Sequence, residues 1–517
     1  MMVPRALPSA VVVLLALTAC GNSDTPESEG PEGSLGAPSG SPATSDPPPP
    51  PAAREADAPS PPSEPVEAAA SGDPDLDEGE EPDPEPDPAG DEGARNGGDS
   101  EPAWEDVEPP SFTRPDSIRG IYLTAWSAGS RNRSSELMEL ARETELNTFV
   151  IDLKDASGYV SHRTDVEMAR EVGADGELRI GDLPGLLQRL DEAGVYPIAR
   201  IVIFKDHLLA ERRPDLALRS EDQGEDEFWR DNGGHPWTSP RSREVWDYHL
   251  DLAREAAKLG FPEIQWDYVR FPDIPPSVRE TLHVPGSEEG SRAEVIRRFL
   301  AYTREELAEL DAKVTADVFG VAATAATDVG IGQRWEDFID VVDAALPMIY
   351  PSHYWQGSFG YDHPNAHPYE VVWESLGRAR DRSAAVEGAG EVIPWLQDFT
   401  MGSPRYGAPE VRAQIQATHD RGIPHWLLWN PGSRYTRDAL APAEGFATDH
   451  DPLIRLGGHI IPASQRLTTL LGPAGALPDP LMGSTAEYGW VPPWVGPESR
   501  LARPLPPPWS VPAEPVR

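Results

Sequence analysis

Residues 263–271 read EIQWDYVRF, a run of apolar, β-branched and aromatic side chains that carries a carboxylate, Asp267, and a guanidinium, Arg270, near its end. A segment this apolar predicts a strand buried on both faces, the kind a parallel sheet covered by helices requires. Seven other runs share the pattern: GIYLTAW from Gly120, TFVIDLKD from Thr148, VYPIARIVIF from Val195, VTADVFG from Val314, AALPMIYP from Ala344, VIPWLQDF from Val392 and HWLLWN from His425. Amphipathic stretches lie between them, such as SSELMELARETE, LPGLLQRLDEAG, VWDYHLDLAREAAKLG, AEVIRRFLAYTREELAEL and PEVRAQIQATHDRG. Three of these end at Gly194, Gly260 and Gly422, where helix C-caps are expected. Eight alternating β and α units predict an α/β fold, a (β/α)8 TIM barrel. A doubly wound open sheet fits less well, because no glycine-rich phosphate loop follows the first strand.

The 517 residues carry 87 acidic and 44 basic side chains, a formal net charge of −43. From Gly21 to Pro110 there are 25 Asp or Glu against 2 Arg, and 21 of the 58 prolines. Such a stretch cannot bury enough apolar surface to offset its ordering entropy, so residues 21–111 are expected to form a disordered, extended acidic linker. Asp451 to Arg517 holds 14 prolines and reads as a Pro-rich C-terminal tail. The barrel is therefore placed at residues 112–450. The acid excess argues against nucleic acid as a partner, since binding phosphate needs clustered Lys and Arg. A polysaccharide, neutral or cationic, is compatible with it.

At the N-terminus Arg5 is followed by an apolar run, Ala10 to Leu17, and then by Thr18, Ala19 and Cys20. The run is too short to span ~30 Å of hydrocarbon and reads as a signal peptide over residues 1–20. Leu17-Thr18-Ala19-Cys20 resembles the bacterial lipobox, which implies acylation of Cys20 and attachment to a membrane. Gly21 in place of Asp points to an outer-membrane or cell-surface lipoprotein of the cell envelope. Cys20 is the sole cysteine, so no intrachain disulfide and no Cys-based zinc site can form.

In a barrel of this kind the active site lies at the C-terminal strand ends. Carboxylates stand there on four strands: Asp152 and Asp155 flanking Lys154, then Asp267, Asp317 and Asp398. Desolvating them is costly unless something uses or pairs them. Strands four and five are neighbours, ~4.8 Å apart, which makes Asp267 and Asp317 the candidate catalytic pair. A retaining glycosidase needs its carboxyl groups ~5–5.5 Å apart and an inverting one needs them wider. One carboxylate would attack or stabilise the anomeric carbon, and the other must stay protonated through a raised pKa. Arg270 is read either as the partner that keeps the attacking carboxylate ionised or as a salt-bridge member of the barrel rim. Trp126, Tyr159, Trp237, Tyr350, Tyr354, Trp355, Trp395 and Trp429 cluster at the same level and offer faces for sugar rings. The substrate-binding candidates are Asp152, Lys154, Asp155, Arg270, Tyr350, His353, Trp395, Asp398 and Trp429. Two long connections, Lys205 to Arg241 and the one from Ser352, suggest a lid or cleft wall. The second carries His353, His363 and His367, yet no HxH or HExxH spacing occurs, so neither a metal nor another cofactor is expected.

Taken together, RGIYLTAW, FVIDLKDASGYV, IQWDYVRFP, ADVFG, ALPMIYPSHY and PWLQDF resemble a bacterial family of glycoside-hydrolase-like domains of unknown function built on a TIM barrel. The resemblance covers about Ile118 to Arg434, and IQWDYVRFP is its most specific element. That family is distantly similar to the α-amylase clan, which implies Asp267 as nucleophile and Asp317 as acid/base, where the clan normally has Glu. It also implies Asp398 as a third, substrate-distorting carboxylate. The expected function is hydrolysis of a glycosidic bond in an envelope or extracellular polysaccharide, by a monomer. The alternatives are a non-catalytic carbohydrate-binding envelope lipoprotein and a metal-dependent deacetylase or hydrolase on the same barrel.

Overall fold

The computed structural model describes residues 108–220 and 228–471. Eight parallel strands run in chain order: β1 (Arg119–Leu123), β2 (Thr148–Lys154), β3 (Tyr196–Val202), β4 (Glu263–Asp267), β5 (Lys313–Phe319), β6 (Ala344–Ile349), β7 (Trp395–Gln397) and β8 (Trp426–Trp429). Each pairs with the next, and β8 returns to β1 through Arg119↔Trp426 and Ile121↔Leu428. The sheet is thus a closed barrel, with a two-residue piece at Glu391–Val392 lying beside β6 ahead of β7. All eight apolar runs become barrel strands.

The main outer helices are α1 (Arg131–Glu143), α2 (Leu183–Glu192), α3 (Arg243–Leu259), α4 (Arg292–Ala308), α5 (Pro368–Ser383) and α6 (Ala408–Asp420). Four begin on a side-chain cap: Ser130, Asp182, Ser242 and Ser291, the last in a capping box with Glu294. Gly194, Gly260 and Gly422 close their helices with φ of 68°, 115° and 75°, a region that disfavours any residue with a Cβ. Between β5 and β6 lie just a 3-10 turn, Gly320–Ala323, and a four-residue α-helix, Trp335–Phe338. Helix α5 opens inside the stretch from Ser352 that reads as loop.

Apolar side chains fill two layers. One lies between strands and helices; the other lies within the barrel and includes Ile118, Tyr122, Val150, Ile198, Leu346 and Trp395. Trp237, Trp246, Trp266, Trp335, Trp395 and Trp426 are all fully buried, and truncating any one to Ala would cost about 3–5 kcal/mol.

Residues 108–118 cross the N-terminal face of the barrel. Arg114 lies 3.6 Å from Glu263 at the start of β4 and pairs with Glu391, while the Ile118 N–H donates to His425 Nδ1 at 3.0 Å. At the other terminus the packed chain continues past 450. Leu453–Leu456 and His459–Pro462 form a hairpin that buries Ile454 and Leu456. Arg455 bonds Glu410, the Gly457 N–H bonds Glu370, and Arg466 pairs with Asp420. Residues 451–471, which read as tail, are therefore docked on α5 and α6. Cys20 and the signal segment, the linker up to residue 107 and the tail from 472 lie outside the described residues. Among the described residues no helix is long and apolar enough to cross a membrane.

Candidate active site

Asp152 on β2 stands opposite Arg200 on β3 in the parallel register. The Arg200 guanidinium donates to Asp152 through Nη1 and to Asp267 Oδ2 through Nε, at 2.9 Å, and Nη2. Its Nε also lies 3.9 Å from Asp317 Oδ2. One buried cation therefore meets three buried carboxylates from β2, β4 and β5, which offsets much of the cost of desolvating them. The guanidinium carbon sits 5.4 Å from the Tyr122 ring and 5.1 Å from the Trp429 ring, and the Tyr122 hydroxyl donates to Asp152. Because Arg200 Nε touches both, the Oδ2 atoms of Asp267 and Asp317 are at most about 7 Å apart. That bound is compatible with a two-carboxylate glycosidase.

The two carboxyl groups have different surroundings. Asp317 accepts from Gln265 Nε2 on both oxygens, at 3.0 and 2.8 Å, and from Trp395 Nε1 at 2.6 Å. Burial, reinforced by the charge of Asp267, pushes its pKa well above the usual carboxylate range, against the opposing pull of Arg200, Gln265 and Trp395. Burial likewise raises Asp152 to about 6 despite Arg200. Asp267 takes the stronger share of Arg200 and also accepts from the Tyr268 N–H.

Tyr268 ends β4 at φ 51°, a left-handed conformation that costs about 1–2 kcal/mol for a residue with a side chain. Its ring packs edge-on against buried Trp237 at 5.7 Å, under Lys205 Nζ at 4.9 Å. The Arg270 guanidinium spans the rings of Trp237, Tyr268 and Phe319 at 4.9, 5.2 and 4.5 Å. The result is an open cleft, about 380 Å³ when the space continuous with solvent is included. Arg200, Asp267 and Asp317 line its charged part; Tyr268, Arg270 and Phe319 line one side, and Met348, Tyr350, Trp395 and Trp429 the other. Trp429 stacks on Tyr122 (4.0 Å, 21°) and stands at 88° to Trp395.

Of the residues singled out in the sequence, the cleft brings together Asp267, Asp317, Arg270, Tyr350, Trp395 and Trp429, with Asp152 behind them through Arg200. Four others are engaged elsewhere. The β2–β3 register slips between Asp152 and Lys154, so Lys154 pairs with Ile201 instead of continuing the inward row. A one-residue slip turns a side chain to the opposite face. Lys154 accordingly donates to the Val202 carbonyl at 2.8 Å and pairs with buried Asp206 at 2.9 Å, which in turn lies 3.6 Å from His249 on α3. Asp155 accepts from Ser157 and pairs with Arg179 in the loop after β2. Asp398 points to the β8 loop, where the Thr436 N–H and hydroxyl donate to it at 2.8 and 2.6 Å. Both bonds come from within the chain, so each Asp398 oxygen has a protein partner. His353 bonds Ser352 at 2.9 Å and sits edge-on to Tyr350 from behind the lining.

Arg200 is a cation on Asp267, and the Arg270 guanidinium faces the aromatic wall. Trp126 and Tyr159 gather around Arg179, Tyr354 bonds Ser375, and Trp355 is half-exposed. Arg200, Tyr122, Gln265, Tyr268, Phe319 and Met348 were not among the sequence candidates. Arg200 did leave a signal: it is an ionisable residue in the middle of the apolar run VYPIARIVIF, where a charge must find partners. Among the described residues no three His, Cys, Asp or Glu side chains are grouped as a metal's ligand set.

A family model described as "Putative glycosyl hydrolase domain" matches residues 120–435. The chain belongs to that family. No curated protein matches the chain. Similar solved structures include a hypothetical protein from Ruminiclostridium thermocellum ATCC 27405, at 34% identity over 38% of this chain and 97% of that one, with a TM-score of 0.35. Another is the PgaB (BpsB) glycoside hydrolase domain from Bordetella bronchiseptica, at 12% identity over 62% and 95%, with a TM-score of 0.45. A third is the GH20 exo-β-N-acetylglucosaminidase from Vibrio harveyi, at 12% identity over 61% and 50%, with a TM-score of 0.38. None of the three reaches a TM-score of 0.5.

Proposed function

We propose that this glycosyl-hydrolase-family chain cleaves a glycosidic bond in an envelope or extracellular polysaccharide. Asp317 gives its proton to the glycosidic oxygen as the bond to the anomeric carbon breaks, and Asp267 meets the developing positive charge or bonds to that carbon. Water then completes the displacement and returns a proton to Asp317. The supporting observation is the sharing of Arg200 by two neighbouring carboxylates whose surroundings differ, one gripped by the guanidinium and one buried with a raised pKa. Tyr350, Trp395 and Trp429 supply faces against which a sugar ring can rest.

The test is release of reducing ends from a polysaccharide panel by the full chain, compared with Asp267→Asn and Asp317→Asn. Each substitution is expected to lower the rate by about 10²-fold or more. Undiminished turnover in either variant would strike that residue from the chemistry.

A second reading, a carbohydrate-binding envelope protein, draws on the same cluster, since Arg200 neutralises Asp152 and Asp267 as a structural ion group would. Saturable glycan binding with no reducing ends released would favour it. The LTAC motif and the acidic, Pro-rich stretch behind it support acylation at Cys20 and a tether over residues 21–111 that holds the barrel on an envelope membrane. Incorporation of labelled fatty acid by the native chain, and none by Cys20→Ala, is the expected result.

A further inference from the structure

Gln265 is completely buried on β4, two residues before Asp267, and does not line the cleft. Its amide Nε2 reaches both oxygens of Asp317, while its Oε1 is buried with no hydrogen-bond partner among the described residues. Burying a primary amide is costly, and the one bonded half of this amide is spent on Asp317. Trp395 Nε1 and Arg200 Nε approach the same carboxyl group. Every one of these is a donor, and donors solvate a carboxylate better than a carboxylic acid.

We infer that Gln265 is a positioning residue for Asp317: it fixes the carboxyl plane through both oxygens and stabilises the form that has given up its proton. This rests on the reading of Asp317 as proton donor and deepens it. A group that must be an acid in one step and a base in the next needs both forms within reach. Burial beside Asp267 favours the acid, and the Gln265 amide offsets that preference. Acting through Asp317 and not on the sugar, Gln265 leaves substrate contacts alone.

The groups that face Asp317 and set its titration are Asp267 and Gln265 from β4, Arg200 from β3 and Trp395 from β7. The experiment reads the titration of Asp317 directly in the ligand-free full chain, by carboxyl-¹³C NMR with Asp317→Asn identifying the signal. In Gln265→Met, which keeps the side-chain length and removes both donors, the Asp317 midpoint is expected to rise by about one pH unit. Gln265→Glu, of the same shape, is expected to raise it as well and serves if the methionine variant does not fold. With substrate, the methionine variant should lose kcat about 10-fold or more while KM stays within about 2-fold. An unmoved Asp317 midpoint in a folded variant overturns the assignment, whatever the change in melting temperature. A raised midpoint in a protein that releases no reducing ends from any glycan keeps the Gln265–Asp317 relation and sinks the hydrolase reading instead.

Discussion

Arg200 and Asp152 face each other across the β2–β3 register, and Tyr122 closes the pair from β1 by donating to the same carboxylate. The guanidinium then extends to Asp267 on the neighbouring strand, so the cation that serves the strand-four carboxylate is held by a carboxylate two strands away, on β2. Positioning in this site is carried across strands, and the stability of the barrel mouth depends on it.

Replacing Arg200 by Met would leave Asp152 and Asp267 buried without their cation. The expected cost is about 3–5 kcal/mol at pH 7. Chemical denaturation should show that loss shrinking toward pH 4, where the orphaned carboxyls take up protons. A variant as stable as the parent at pH 7 would mean the cluster is not the support described here.

The Asp317→Asn variant should respond to the leaving group. On an unactivated polysaccharide the loss is expected at about 10²–10⁴-fold, the size of a general-acid contribution. On an aryl glycoside whose phenolate leaves without protonation, the loss should fall to within about 10-fold. Equal losses on both substrates would assign Asp317 to something other than proton donation.

Asp398 is raised by burial to about 7, against the two hydrogen bonds from Thr436. The native chain thus holds a proton there that the unfolded chain releases near pH 4. Its contribution to stability is complete below about pH 4 and is lost as pH climbs through 7. Unfolding free energies of native chain and Asp398→Asn, measured from pH 4 to 8, should differ by an amount that falls along that interval. A constant difference would contradict the linkage.

Lys154→Met should destabilise the fold and leave glycan affinity unchanged. Burial alone would raise Asp206, yet Lys154 and His249 hold it down to about 2. That stabilisation is present above about pH 4 and disappears as pH falls through 2. The expected penalty is about 3–5 kcal/mol at neutral pH. A weakened glycan isotherm in the folded variant would return Lys154 to the cleft.

The barrel was legible because double-sided burial writes each strand as an unbroken apolar run, from Gly120 to Trp429. Asp267 and Asp317 stood out because a carboxylate inside or at the end of such a run must find partners. Arg200 was harder: it sits mid-strand, and a long side chain carries its charge to the mouth from below. The pairing of Lys154 with Asp206 was not legible because a register slip has no local mark, and strict alternation puts Lys154 beside Asp152. The surroundings of Asp398 were not legible because its partner, Thr436, comes from the loop after the next strand.

The strap from 108 to 118 enters beneath the barrel, where Arg114 meets the first residue of β4, and the cleft opens at the opposite ends of the strands. Whatever precedes residue 108 is therefore joined at the pole of the barrel remote from the cleft. A load applied to the chain at residue 108 would therefore reach the barrel through its base and leave the strand ends that carry the cleft unstressed.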